Sequence, residues 1–361
     1  MRGKTEPQTS MVMLMSAESL VPADHPIRGV KKLADEALRE LSPLFDKVYA
    51  DGGRPSVPPE RLLKAQLLIA LYSVRSDRQF CEQLRYNLLF KWFLDMTMDE
   101  VPFDASTFSQ NRERLIVHDV GKHFLGAVVR QAKKRRLMSA DHFTVDGTMI
   151  EAWASLKSFR PKDDDDDDNN GWGDFKGETR SNDTHESKTD PESKLWRKGH
   201  SQEARLCFSG NALMENRNGL LVDLRVVEMN GYAERAAALD LLDEHITKER
   251  RVTLGADKGY DTKHFVAECR ARNVTPHVAQ NADGRRRSAI DERTTHGIGY
   301  ALSQRVRKRV EQIFGWMKAA ARMRKTRFRG VARTQLAAYF VGAAYNLLRI
   351  NNLLLATPQP A

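Results

Sequence analysis

A chain of 361 residues with 41% hydrophobic and 29% charged side chains is long enough for two or three domains and has the balance of a soluble globular protein. Its net charge of +10 asks for an anionic partner, nucleic acid or a membrane surface. No apolar run approaches the roughly 18–20 residues of a membrane span, and the early stretch MVMLMSAESLVPA is short and carries Glu18, unlike a signal peptide.

Residues 1–25 read as irregular. From Ile27 to about Leu137 the patterns are helical. IRGVKKLADEALREL places Val30, Leu33, Ala37 and Leu41 on one face. VPPERLLKAQLLIALYSV opens on two prolines, suited to a helix start. SDRQFCEQLRYNLLFKWFL begins with Ser76 as an N-cap. DASTFSQNRERL follows as a short capped helix, and DVGKHFLGAVVRQAKKRRL ends in basic residues that suit a helix C-terminus. Such an all-α region fits a DNA-binding module, and a plain helical bundle equally well.

After Leu137 the period changes. HFTVDGTMIEAW alternates as a strand, and the stretch from Glu203 to Met229 reads as two strands around the turn NRNG. NGYAERAAALDLLDEHI is a helix, RRVTLGAD a strand, TKHFVAECRARN a helix and VTPHVAQ a strand. Two long helices follow from Gly299. The order β-β-β-α-β-α-β-α is the ribonuclease-H-like one: an α/β domain with a mixed sheet flanked by helices. Residues 155–203 break it as a polar insertion after the first strand, partly ordered by Trp172 and Trp196. Cys81, Cys207 and Cys269 are far apart and form no CxxC, which argues against a disulfide framework or zinc cluster and suits a reducing cytoplasm.

Six consecutive aspartates at 163–168 repel one another and read as a solvated loop, because a metal site needs carboxylates converging from a rigid scaffold. Three other acids are better placed. Asp146 ends the strand FTVD, Asp257 ends the strand VTLGAD, with Asp261 as a rival, and Glu311 lies on the helix after the last strand. Neighbouring strands can bring two carboxylates together, and a helix packed across the sheet can add a third. That set would bind Mg²⁺ or Mn²⁺, two ions per site, clamping the attacking and leaving oxygens of a phosphodiester.

Glu311 stands in a basic stretch, 305–330, with ten Lys or Arg side chains. Val306, Val310, Ile313 and Met317 form its apolar stripe, and Gln304, Arg307, Glu311, Lys318 and Arg322 another face. Arg305, Lys308, Arg324, Lys325, Arg327 and Arg329 complete a set of DNA-backbone contacts.

These residues resemble the DDE transposases of bacterial insertion sequences, in particular the insertion-sequence-five family. The resemblance rests on SDRQFCEQLRYNLLFKWFL, TVDGTMIEA, NALMENRNGLLVD, LGADKGYD and GYALSQRVRKRVEQIFGWMK. It implies a catalytic triad of Asp146, Asp257 and Glu311. A wider signature in related transposases has a Tyr, an Arg three residues on, a Glu four further and a Lys seven further. Arg307, Glu311 and Lys318 match it, and Gln304 stands where the Tyr would be.

The resemblance implies metal-dependent cleavage at terminal inverted repeats and transfer of the 3′-OH into target DNA. Double-stranded DNA is then the partner, a homodimer or larger assembly the working form, and the cytoplasm, at the bacterial nucleoid, the location, with no membrane role. A DNA-binding regulator derived from a transposase, or a nuclease without strand transfer, are the alternatives. The expected organisation is a helical DNA-binding and dimerisation region at 1–137, the catalytic domain at 138–330, and a C-terminal helix at 331–361 packing on that domain or on a partner.

Overall fold

The starts of the first helices follow from local chemistry. Before the first strand come α1 (Ala17–Leu20), α2 (Ile27–Val48), α3 (Pro59–Leu71), α4 (Asp77–Leu84), α5 (Leu88–Phe93), α6 (Ala105–Val117) and α7 (Val120–Lys134). Pro59 opens α3, where a missing N–H costs no hydrogen bond. Ser76 Oγ accepts from Gln79 N at 3.1 Å and caps α4. The stretch from Ser76 to Leu94 forms two helices, because Asn87 Oδ1 accepts from Phe90 N at 3.1 Å and starts α5 afresh. Val30, Leu33, Ala37 and Leu41 of α2 are buried together, as their spacing predicts.

This structure, a computed structural model, describes residues 16–49, 52, 56–162, 180–199, 201–281 and 287–356. The aspartate run at 163–168, Trp172 and residues 1–15 lie outside the described residues.

The second half follows the order β1 (His142–Glu151), β2 (Phe159–Pro161), β3 (His185–Ser187), β4 (Lys194–Trp196), β5 (Arg205–Glu215), β6 (Leu221–Glu228), α8 (Ala233–His245), β7 (Val252–Ala256), α9 (Lys263–Ala271), β8 (Val274–Val278), α10 (Glu292–Thr295), α11 (Ile298–Val306), α12 (Val310–Ala319) and α13 (Val331–Ala356). The main sheet runs β5-β1-β7-β8, and β4 and β6 share the far edge of β5. β1 pairs antiparallel with β5 and parallel with β7, and β7 pairs parallel with β8. Leaving out the short strands β2 to β4, this is the ribonuclease-H-like arrangement of three antiparallel strands followed by two parallel ones.

The hairpin between β5 and β6 forms at the expected turn. Buried Glu215 accepts the backbone N–H groups of Arg217 and Asn218, and Gly219 supplies a φ of +66°. The insertion is more ordered than a loop. β2 and β3 form a two-stranded ribbon, and Trp196 lies in β4, paired with Arg205. Asn182 supports β4 by exchanging two bonds with the Leu195 backbone, at 2.8 and 3.0 Å. The helix expected through Glu311 is likewise not one piece: a 3₁₀ turn at Arg307–Arg309 separates α11 from α12.

An unpaired β6 edge would leave backbone groups without partners. α13 covers it. Asn346 accepts from Leu221 N at 2.9 Å and donates to Leu221 O at 2.8 Å, while Gln335 accepts from Val226 N at 2.6 Å and donates to Leu224 O at 2.7 Å. The same helix packs on α2, α3, α6 and α7, so the helical region and the sheet share one core. Among the described residues no helix is long and apolar enough to cross a membrane.

Candidate active site

The parallel pairing of β1 with β7 sets the site. His142, Phe143 and Thr144 pair with Thr253, Leu254 and Gly255. Carrying that register two residues on brings Asp146 beside Asp257, on backbones about 4.8 Å apart. β1 itself does not stop at Asp146 but runs on to Glu151. Asp257 caps the short 3₁₀ turn Lys258–Tyr260, its Oδ1 accepting from Gly259 N at 2.8 Å. Asp146 Oδ1 accepts from Gly147 N at 2.9 Å. Burial, with the Asp257 carboxylate close by, pushes the Asp146 carboxyl up to about 7, against the opposing pull of the Gly147 N–H.

A further carboxylate, Glu234, stands here that the sequence reading missed. It lies in the first turn of α8, which packs on β1. A Cβ at position 147 would come within 2.6 Å of the Glu234 carboxyl carbon and Oε1, so the glycine beside Asp146 leaves the space this carboxylate occupies. Burial and then Asp257 raise the Glu234 pKa. Arg235, the adjacent cation, instead donates to Gly231 O and Gly259 O. The signal available in the sequence was slight: Glu234 lies in an alanine-rich helix that reads as surface charge.

Tyr260 completes the floor. It is 1% exposed, and its hydroxyl has no hydrogen-bond partner among the described residues. Its burial, and the charges of Glu234, Asp146 and Asp257, push its pKa well above the usual phenol range.

Arg307 supplies the positive edge, and its charge acts on Asp146. Gly255 lets it approach the sheet: a Cβ there would lie 3.3 Å from the Arg307 Cβ. Gln304 Oε1 accepts from Arg307 Nε at 2.8 Å, and Gln304 Nε2 donates to His277 O at 2.6 Å. Glu311 is exposed in the first turn of α12, a helix packed on β1 through Val310, Ile313, Phe314 and Met317. Asp146, Asp257 and Glu311 do not bring their ligand atoms mutually within 4.8 Å; among the described residues the trio that does so is Asp223, Glu244 and His245. Lys122 and Arg225 pair with Glu244, and His245 bonds Asp223 at 2.8 Å, so that trio is an ion-pair network joining α7, β6 and α8. The rival Asp261 is occupied elsewhere, accepting from Asn281 N at 2.7 Å and Ala289 N at 2.8 Å.

The other basic residues divide. Arg305, Lys308, Arg322, Arg324, Lys325 and Arg329 are exposed. Lys318 is partly buried, and burial, with Lys198 and Arg324 nearby, lowers its pKa. Glu151 N donates to Arg324 O at 2.9 Å and Thr326 N to Glu151 O at 2.8 Å, which lays this basic segment on the end of the strand that carries Asp146. Arg327 turns inward: it reaches Asp77 at 3.8 Å and stacks on Phe328.

Residues 15–114 match the family described as Transposase domain (DUF772), and residues 139–347 match Transposase DDE domain. No curated protein is similar enough in sequence to match. The cryo-EM structure of a piggyBac transposase synaptic complex with hairpin DNA is similar at TM-score 0.43 and 9% identity, over 93% of this chain and 77% of that one. The crystal structure of a pre-cleavage Mos1 transpososome scores 0.21 at 12% identity, over 92% of this chain and 98% of that one. The assignment rests on the family match, which takes in more than half of the sequence: the chain belongs to the DDE-domain transposases.

Proposed function

We propose that the chain cuts DNA at the terminal repeats of its own element and joins the freed 3′-OH to target DNA, using divalent cations held by Asp146, Asp257 and Glu311. The observation that supports this reading is the parallel pairing of β1 with β7, which carries Asp146 and Asp257 close enough for the charge of Asp257 to act on Asp146, with Arg307 at the edge. Asp146 and Asp257 fit a hard cation: their donors are carboxylate oxygens close enough for the Asp257 charge to act on Asp146, beside a phenol hydroxyl with no partner, and exposed Glu311 adds a third carboxylate from α12. When bound, such ions activate the attacking oxygen and neutralise charge developing on the scissile phosphate. Magnesium or manganese suits the site, and the two-ion arrangement suits a reaction with both an attacking and a leaving oxygen.

The chain's own residues do the positioning. The N–H groups of Gly147 and Gly259 fix one oxygen of each aspartate. Arg307, held by Gln304, meets a phosphate in a defined orientation, and the exposed cations of 305–329 align the duplex. No covalent enzyme intermediate is required. Joining two ends calls for at least two copies of the chain.

The test uses DNA carrying the element's end. Asp257→Asn should abolish cleavage with Mg²⁺ while end binding persists. Full cleavage by that variant would sink the assignment. Joined products in a target plasmid separate transposition from simple nuclease action.

A further inference from the structure

Glu234 lies outside the expected triad, yet the structure seats it over Gly147, the residue after Asp146. Its carboxylate packs over Gly147, in space that a side chain there would fill. Evidence for a ligand at this cluster comes from Tyr260. A phenol hydroxyl buried to 1% exposure with no partner is costly, roughly 1–3 kcal/mol on general grounds. The carboxylates whose charges act on it are Glu234, Asp146 and Asp257, and it donates to none of them. A donor held in this way is placed to meet an oxygen that arrives with a ligand, such as a water around a cation.

We infer that Glu234 is a fourth carboxylate of the cation site, acting with Asp146 and Asp257, and that the Tyr260 hydroxyl donates to the hydration shell of the bound ion. The inference rests on the metal-dependent reading above and deepens it. No three of these carboxylates bring their ligand atoms mutually within 4.8 Å. Ligands of two ions about 3.5–4 Å apart need not do so.

The experiment titrates the full chain, without DNA, with Mn²⁺ alone, reading free Mn²⁺ by electron paramagnetic resonance. Thermal unfolding in EDTA confirms that each variant folds. The aspartate run at 163–168 is common to all proteins compared, so its binding cancels. Glu234→Gln should weaken the tight Mn²⁺ class at least tenfold, and Tyr260→Phe about threefold, with unfolding in EDTA no lower than wild type. Glu234→Asp, which keeps the charge, should fall between wild type and Glu234→Gln, and it carries the test if the glutamine variant misfolds. Wild-type Mn²⁺ affinity in Glu234→Gln, or in Glu234→Asp where that variant stands in, overturns the inference. Asp257→Asn decides the parent reading separately: if it binds Mn²⁺ as wild type does, the site itself is misplaced, whatever the Glu234 variants show.

Discussion

Gln304 holds Arg307: its Oε1 accepts from Arg307 Nε at 2.8 Å, while its own amide is anchored to His277 O at 2.6 Å. The signature of related transposases has a tyrosine at this position. Here the glutamine fixes the guanidinium that acts on Asp146, and an oriented Arg is worth more to a phosphate than a mobile one.

Gln304→Ala should therefore lower the rate of end cleavage about tenfold, or ~1.4 kcal/mol of barrier. Binding of the end should change less than twofold, because the exposed cations remain. Single-turnover cleavage against gel-shift affinity separates the two. Equal losses in both would mean that Gln304 contacts DNA itself rather than orienting Arg307.

The Asp146 carboxyl gives a pH signature. Its folded pKa is about 7 against an ordinary 3.8, so between these values the folded chain binds the extra proton. The associated stability is full below about pH 4 and is lost as pH rises through 7. The ceiling is roughly 4 kcal/mol, shared with its acidic neighbours. In EDTA, wild type should thus lose stability relative to Asp146→Asn between pH 5 and pH 8, by urea unfolding. Saturating Mg²⁺ should reverse the difference. A constant gap between the two proteins across that range would show that Asp146 is ionised throughout.

The sequence carried the strands and the two aspartates because both are local signals. Alternation marks β1, a largely apolar run marks β7, and an aspartate with a glycine one or two residues on marks the proposed ligand of each. Glu234 was hidden because its meaning depends on the crossing of α8 over Gly147, a contact 87 positions apart in the chain. The inward turn of Arg327 was hidden for the same reason: Asp77 sits on α4, in the other half of the sequence. Composition cannot tell a cation that faces DNA from one that closes the core. The order in the insertion was missed because its strands are three residues long, too short for a period to show.

Lys64 tests the helical half. It is 4% exposed and bridges Asp35 and Asp95, with Lys31 pairing both acids at 2.9 and 2.7 Å. Without Lys64 both acids keep Lys31, and Asp35 and Asp95 are 31% and 60% exposed, so water screens the loss to about 1 kcal/mol. Lys64→Ala should cost about that much in urea unfolding. Adding Asp95→Asn should return part of the loss, and asparagine accepts the φ of +54° at that position. A double variant at least as unstable as the sum of the two single changes would show that the bridge is not the source of the stability.

Salt dependence separates the basic residues by placement. Each phosphate contact contributes about −0.9 to the slope of log affinity against log salt. Arg324 and Lys325 are exposed on the segment joined to Glu151, so the double alanine variant should flatten the slope by about 1.8. Arg327 lies two positions on, but its guanidinium is spent on Asp77 and Phe328. Arg327→Ala should leave the slope unchanged and instead lower the unfolding midpoint, since Asp77 keeps Arg112 at 2.7 Å but loses its second cation. Affinity for end DNA measured between 50 and 200 mM salt makes the comparison. A slope reduced by Arg327→Ala as much as by a single exposed variant would place Arg327 on the DNA after all, and would mean that the contact with Asp77 opens when DNA binds.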